Sequence, residues 1–178
     1  MPLLISAIEK GKEISLLVIH FTASGSLDAS VRWFENPTAN ASAHYIMGKN
    51  GKIVQMVKEE EKAWHAGKSQ WDGVKNCNNY SIGIEIVNWG ILKKKGEKFY
   101  CWPGSYTTEY SGRGKPEKAE GQYWEPYAER QYKALSLLTC GIIQRHNITL
   151  DRIVGHSDIA PGRKADPVPL FDWDRFKE

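Results

Sequence analysis

The sequence predicts an α/β fold: a single domain with a central mixed β-sheet flanked by helices. Three observations lead there. Short apolar, β-branched runs at 14–20 and 81–87 read as buried strands. Amphipathic segments with apolar residues at helical spacing, clearest at 127–145, alternate with those strands. At 178 residues, with 41% hydrophobic and 25% charged residues, the chain has the size and composition of one globular unit. Residues 1–178 are therefore read as a single domain, and no internal repeat is visible.

The elements follow in order. The run Ile14-Ser15-Leu16-Leu17-Val18-Ile19 leads to His20 and predicts the first strand. Residues 26–34 predict a helix, with Ser26 as N-cap, Leu27, Val31 and Phe34 on one face, and Asn36-Pro37 marking its end. Two short strands, 44–48 and 52–57, flank Asn50-Gly51, the strongest hairpin dipeptide. In 81–87, Ile82, Ile84 and Ile86 alternate with Gly83, Glu85 and Val87, which puts Glu85 opposite the isoleucines. The helix over 127–145 places Ala128, Tyr132, Leu135, Leu138 and Ile142 on one side. A last short strand, 152–154, delivers His156.

Residues 89–126 differ in character. They are rich in Lys, Gly, Tyr and Trp, lack periodicity, and read as a long loop with one hairpin at most. Loops of this length inside a domain are often functional, and their aromatics suit stacking on sugar rings or packing the insertion onto the domain.

The densest chemistry lies in GHSDIAPGRKADP, 155–167. Its glycines and prolines break it into a loop that presents His156, Lys164 and Asp166. An imidazole and a carboxylate are good ligands for zinc, and a lysine between them suits a developing oxyanion. The candidate third ligand is His20, at the exit of the first strand; the competing reading is a histidine that closes a strand end on backbone groups. Taken alone, Glu85 reads as a salt-bridged strand carboxylate and Lys164 as a solvated loop lysine.

Several classes are excluded. A net charge of +3 with no long Lys/Arg run argues against nucleic acid, though it suits an anionic polymer. No apolar run approaches membrane-spanning length. The start, MPLLISAIEKGKE, is not a convincing export signal, which points to a cytoplasmic site of synthesis. Cys77, Cys101 and Cys140 match no zinc spacing and are expected to be reduced, with Cys140 in the helix core.

VIHFTAS at 18–24, SAHYIMGKNGKIVQMV at 42–57, AWHAGKS at 63–69, NNYSIGIEIVN at 78–88 and GHSDIAPGRKADP occur in that order. Together they resemble the zinc-dependent N-acetylmuramoyl-L-alanine amidases of the type-2 family, which includes cytosolic recycling enzymes, phage endolysins and, more distantly, peptidoglycan-recognition proteins. The resemblance covers nearly the whole chain. It implies Zn2+ held by His20, His156 and Asp166, Glu85 as general base, and Lys164 as stabiliser of the oxyanion. Some phage members have a cysteine as third ligand; here Asp166 stands there. Phage relatives also carry a tyrosine just before the histidine of the second motif, where this chain has Ala43. Strand alternation pairs Ala43 with Tyr45, so Tyr45 is a candidate substrate contact, as are His65, Asn79 and Ala160. For His65 a structural hydrogen bond is an equal alternative. His44 reads as a packed strand histidine.

The implied function is hydrolysis of the amide bond between N-acetylmuramic acid and L-alanine of peptidoglycan or a muropeptide. A wall-lytic role, exerted on the cell wall after release, is favoured by the aromatic insertion. The alternatives are cytosolic recycling of anhydro-muropeptides and a non-catalytic binding module. Binding-only members lose a zinc ligand, and this chain retains all three.

Overall fold

In the computed structural model, residues 13–102, 105–112 and 114–178 are described. Most of the N-terminal segment read for an export signal lies outside them. The elements are β1 (Leu16–Phe21), α1 (Leu27–Glu35), β2 (Tyr45–Met47), β3 (Ile53–Gln55), β4 (Gln70–Trp71), β5 (Val74–Lys75), β6 (Ser81–Ile86), β7 (Ile91–Lys95), β8 (Lys98–Cys101), β9 (Thr108–Glu109), β10 (Glu117–Ala119), β11 (Gln122–Trp124), α2 (Glu129–His146), β12 (Ile153–Gly155), α3 (His156–Ile159) and α4 (Trp173–Lys177).

The main sheet has the order β12-β1-β6-β2-β3. Its first four strands pair in parallel, and only β3 runs antiparallel to its neighbour. Strand alternation gives the sheet two different faces. Leu17, Ile19, Tyr45, Met47, Ile82, Ile84, Ile86 and Ile153 pack against Tyr132, Leu135 and Ile142 of α2 and against Phe171 and Phe176. On the other side Leu16, Val18 and Val154 pack with Ala66, Cys77 and Ile159. Register places His20 beside Glu85 on this second side, past the end of its apolar cluster.

The local signals at Ser26 and Gly51 behave as read. Ser26 Oγ accepts from the Ala29 N–H and opens α1. In the β2–β3 hairpin Gly51 adopts φ +82°, a conformation that glycine takes without a Cβ penalty. Asn147, with φ 53°, closes α2.

Two expectations need correction. The insertion is not a loop: its strands form a second antiparallel sheet, β10-β11-β7-β8-β9, with Leu92, Cys101 and Trp124 buried. Much of both faces is exposed, so its strands carry lysines where a half-buried strand would alternate. Cys140 is exposed, because the buried stripe of α2 runs through Leu135, Thr139 and Ile142 and turns the next residue outward. All three cysteines are free. Among the described residues, no helix is long and apolar enough to cross a membrane.

Candidate metal centre

Two strands and a loop bring the site together. β1 ends by presenting His20, and β12 hands over directly to α3, whose first residue is His156. The chain then turns and returns Asp166 to the same point, where the Ser157 N–H donates to the Asp166 carbonyl at 2.8 Å. This return needs Gly155, since a Cβ there would lie 2.6 Å from Pro167 Cδ.

The result is a triangle. His20 Nδ1 lies 2.9 Å from His156 Nδ1 and 3.1 Å from Asp166 Oδ2, and the third side is 3.0 Å. All three residues are buried. The remaining ring nitrogens define the protonation. His156 Nε2 faces the Ala66 carbonyl at 3.2 Å, which only accepts, so Nε2 carries the hydrogen. The Ser81 hydroxyl donates to the Cys77 carbonyl at 2.6 Å and accepts from His65 Nε2–H at 3.1 Å. His65 Nδ1 is then a bare acceptor for His20 Nε2–H at 2.9 Å. Burial keeps both rings neutral, lowering His20 to about 4 and holding His65 well below its ordinary value. Two Nδ1 lone pairs and a carboxylate oxygen therefore converge, a donor set that fits a cation of zinc's preferences.

A cleft of about 820 Å3 opens over this triangle, with His156, Asp166, Glu85 and Lys164 among its lining. Glu85 is buried, and its Oε2 has no hydrogen-bond partner among the described residues. Burial, followed by the charge of Asp166, pushes its carboxyl well above the usual carboxylate range, partly offset by Lys164. Trp33 of α1 and Trp102 of the insertion, 58% and 56% exposed, line the same cleft with Trp89 and Trp124.

Other candidates are distributed differently. His65 reaches the cleft, yet both ring nitrogens are committed to His20 and Ser81. Tyr45 is not at the cleft. It packs on the α2 side of the sheet and donates its hydroxyl to Glu59 at 2.6 Å; burial and then Glu59 hold that phenol above its ordinary range. Ala160 is buried in the apolar cluster with Ile159, not in the cleft lining. Asn79 lies in the 3-10 turn Cys77–Asn79 beside the residue that matters more, Asn78. Asn78 Oδ1 accepts from the His65 and Ala66 N–H groups at 3.0 and 2.7 Å and fixes the segment that touches both histidines. His44 is held through both ring nitrogens, by the Gly83 N–H and the Glu61 carbonyl. Sequence reasoning missed Asn78, Ser81 and Gly83; the alternation of Ser81, Gly83 and Glu85 on one face of β6 was the available signal.

Comparison with known proteins agrees with this geometry. A family profile described as N-acetylmuramoyl-L-alanine amidase matches residues 10–169. The amidase AmiD of Escherichia coli (strain K12) is 37% identical over 172 residues, covering 93% of this chain and 52% of AmiD. The 1,6-anhydro-N-acetylmuramyl-L-alanine amidase AmpD of Haemophilus influenzae is 33% identical, covering 93% of this chain and 82% of that protein. The chain thus spans about half the length of one relative and most of the other. In structure, the E. coli AmiD complex with the substrate anhydro-N-acetylmuramic acid-L-Ala-D-gamma-Glu-L-Lys superposes with a TM-score of 0.71 at 35% identity, covering 93% of this chain and 57% of that one. The profile spans the residues that build the triangle and its cleft, and sequence and fold comparisons cover most of the chain: the chain belongs to the N-acetylmuramoyl-L-alanine amidase family.

Proposed function

We propose that this protein is a zinc-dependent amidase that cleaves the bond between the lactyl carbonyl of N-acetylmuramic acid and L-alanine, with an anhydro-muramyl peptide as substrate. The observation that carries the reading is the convergence of three lone pairs, His20 Nδ1, His156 Nδ1 and Asp166 Oδ2, in a cleft that also holds an unpartnered Glu85 oxygen. Those three atoms would hold the metal. Bound zinc supplies a Lewis acid that brings water into the range of neutral-pH ionisation.

Glu85 Oε2 takes the proton from the attacking water and passes it to the leaving alanine nitrogen. Its burial raises the proton affinity that the second transfer requires. Lys164 is exposed at the cleft and directs its ammonium to the carbonyl oxygen as charge develops there. Trp33 and Trp102 offer apolar ring faces to the sugar. The whole chain is read as one amidase domain, with the 89–126 insertion as one wall of the cleft. Of the two biological roles, anhydro-muropeptide cleavage is favoured by the AmpD relative's name and by the ligand of the AmiD complex. The aromatic insertion still supports action on wall polymer.

The test is a side-by-side assay of purified protein on anhydro-muramyl tripeptide and intact sacculi, with zinc content measured. One zinc per chain and release of L-Ala peptides are expected. Full activity after exhaustive chelation, or no cleavage of either substrate by the zinc-loaded protein, sinks the proposal.

A further inference from the structure

We infer that Ser81, two hydrogen bonds away from the metal triangle, selects the tautomer of His20 through His65 and thereby makes His20 a metal ligand. The inference rests on the zinc reading above and adds a positioning role for two residues that touch no ligand atom.

The two histidine ligands are oriented by unlike partners. His156 Nε2–H donates to the Ala66 carbonyl, a group that can only accept, so its tautomer is fixed locally. His20 Nε2 faces His65 Nδ1, an atom that either donates or accepts. A second self-consistent network is therefore available. In it His65 Nδ1–H donates to His20 Nε2, and His20 carries its hydrogen on Nδ1, where Asp166 Oδ2 at 3.1 Å accepts it. That network satisfies His20, Asp166 and His65 Nδ1 and abolishes the ligand, and its one conflict lies at His65 Nε2. Ser81 decides between the two. Its hydroxyl hydrogen is committed to the Cys77 carbonyl at 2.6 Å, so toward His65 Nε2 it presents only a lone pair, and His65 must carry its hydrogen there. The Cys77 carbonyl thus sets the direction of every bond up to His20 Nδ1.

The backbone is shaped for this relay. Ser81, Gly83 and Glu85 occupy alternate positions of β6, on the face away from the isoleucines. A Cβ at Gly83 would lie 2.4 Å from the His65 ring, so glycine makes the space in which the ring lies against the strand. The Asn78 side chain fixes the His65 backbone N–H at 3.0 Å. The S-x-G-x-E row therefore serves both the orientation of a ligand and the proton-transfer group.

Removing a partner behind a metal-bound histidine typically lowers metal affinity about 10- to 100-fold. Ser81→Ala and His65→Leu are expected to weaken zinc binding by that factor in chelator competition. His65→Asn, whose Oδ1 replaces the Nδ1 acceptor, is expected to stay within about threefold of wild type. The second readout is 15N NMR of the histidine rings in metal-free protein: His20 carries its hydrogen on Nε2 in wild type and shifts toward Nδ1 in Ser81→Ala. Thermal melts identify any variant that fails to fold, and Ser81→Ala, a one-atom deletion, decides the matter if His65→Leu does. Ser81→Ala protein with wild-type zinc affinity and His20 still in the Nε2–H form overturns the relay alone. Wild-type protein that takes up no zinc overturns the functional reading with it, so the two failures are distinguishable.

Discussion

Glu85 and Tyr45 stand one residue out of step on neighbouring strands, and that parity decides what each can do. Register pairs Tyr45 with Ile84 and Ile46 with Glu85, so the phenol is carried to the α2 side and the carboxylate to the cleft. Glu85→Gln is expected to keep zinc and fold while kcat falls about 10²- to 10⁴-fold, the usual worth of a general acid–base group. Tyr45→Phe is expected to leave kcat unchanged and to cost about 0.5–1.5 kcal/mol of stability for the lost bond to Glu59. Steady-state kinetics with urea melts separate them; a folded Tyr45→Phe enzyme slowed tenfold would return Tyr45 to the site. That His20, His156 and Asp166 cluster was legible because they fall in ordered motifs. Tyr45 was misread because alternation tells which residues share a face, not which face meets the cleft. For Ser81 the alternation of β6 offered the face but not the role proposed above, which passes through residues 65 and 20, whose proximity only the fold creates.

At the level of elements, the loop after β3 is tied to the C-terminal end of α2. Glu59 accepts from Arg145 Nη2 at 2.6 Å, pairs with His146 Nε2 at 2.7 Å and accepts from the Tyr45 hydroxyl. Burial opposes its ionisation, but hydrogen bonds from Arg145, Tyr45 and His146 outweigh that and hold the carboxyl at about 2, against an ordinary 4.5. The folded pKa is depressed, so the stabilisation is complete above about pH 4.5 and disappears as pH falls toward 2. Denaturant melts of wild type and Glu59→Gln are expected to differ at pH 7 and to converge in that acid window; a gap independent of pH contradicts the network. In the insertion, the two tryptophans have separate fates. Trp124 is buried and donates from Nε1 to the Ala119 carbonyl, whereas Trp102 is exposed along the cleft. Trp102→Ala is expected to raise KM several-fold with kcat little changed, the mark of lost uniform binding. Equal KM for variant and wild type on both muropeptide and sacculi contradicts a sugar contact. The sheet that holds these residues escaped sequence reading because strands such as Ile91–Lys95 have lysines on solvent-facing positions, while its turn signals, Gly96 and Gly121 at positive φ, were in plain view.

Over the whole molecule, the main sheet packs α2 against one face and opens a cleft on the other, and Glu125 joins the insertion to the β2–β3 turn. Its side chain is 3% exposed. It accepts from Lys49 Nζ of the β2–β3 turn, from the Tyr110 hydroxyl within the insertion and from the Trp89 N–H at the exit of β6. Glu125→Ala removes the acceptor of a partly buried ammonium and of the Trp89 N–H, while the Tyr110 hydroxyl keeps the Gly114 carbonyl at 2.9 Å. Breaking a buried pair costs about 3–5 kcal/mol, and the 30% exposure of Lys49 puts this case at the low end. The loss should be local as well as global, because the three donors come from three different parts of the chain. Trp89, Trp102 and Trp124 of the insertion line the cleft, whereas His20, His156 and Asp166 are held by β1, α3 and the loop beyond it. A loosened insertion should therefore raise KM and speed proteolysis between β7 and β11 while zinc affinity stays at the wild-type value. Zinc affinity falling in step with KM would mean that the cleft wall and the candidate metal centre form one mechanical unit, although different elements hold them.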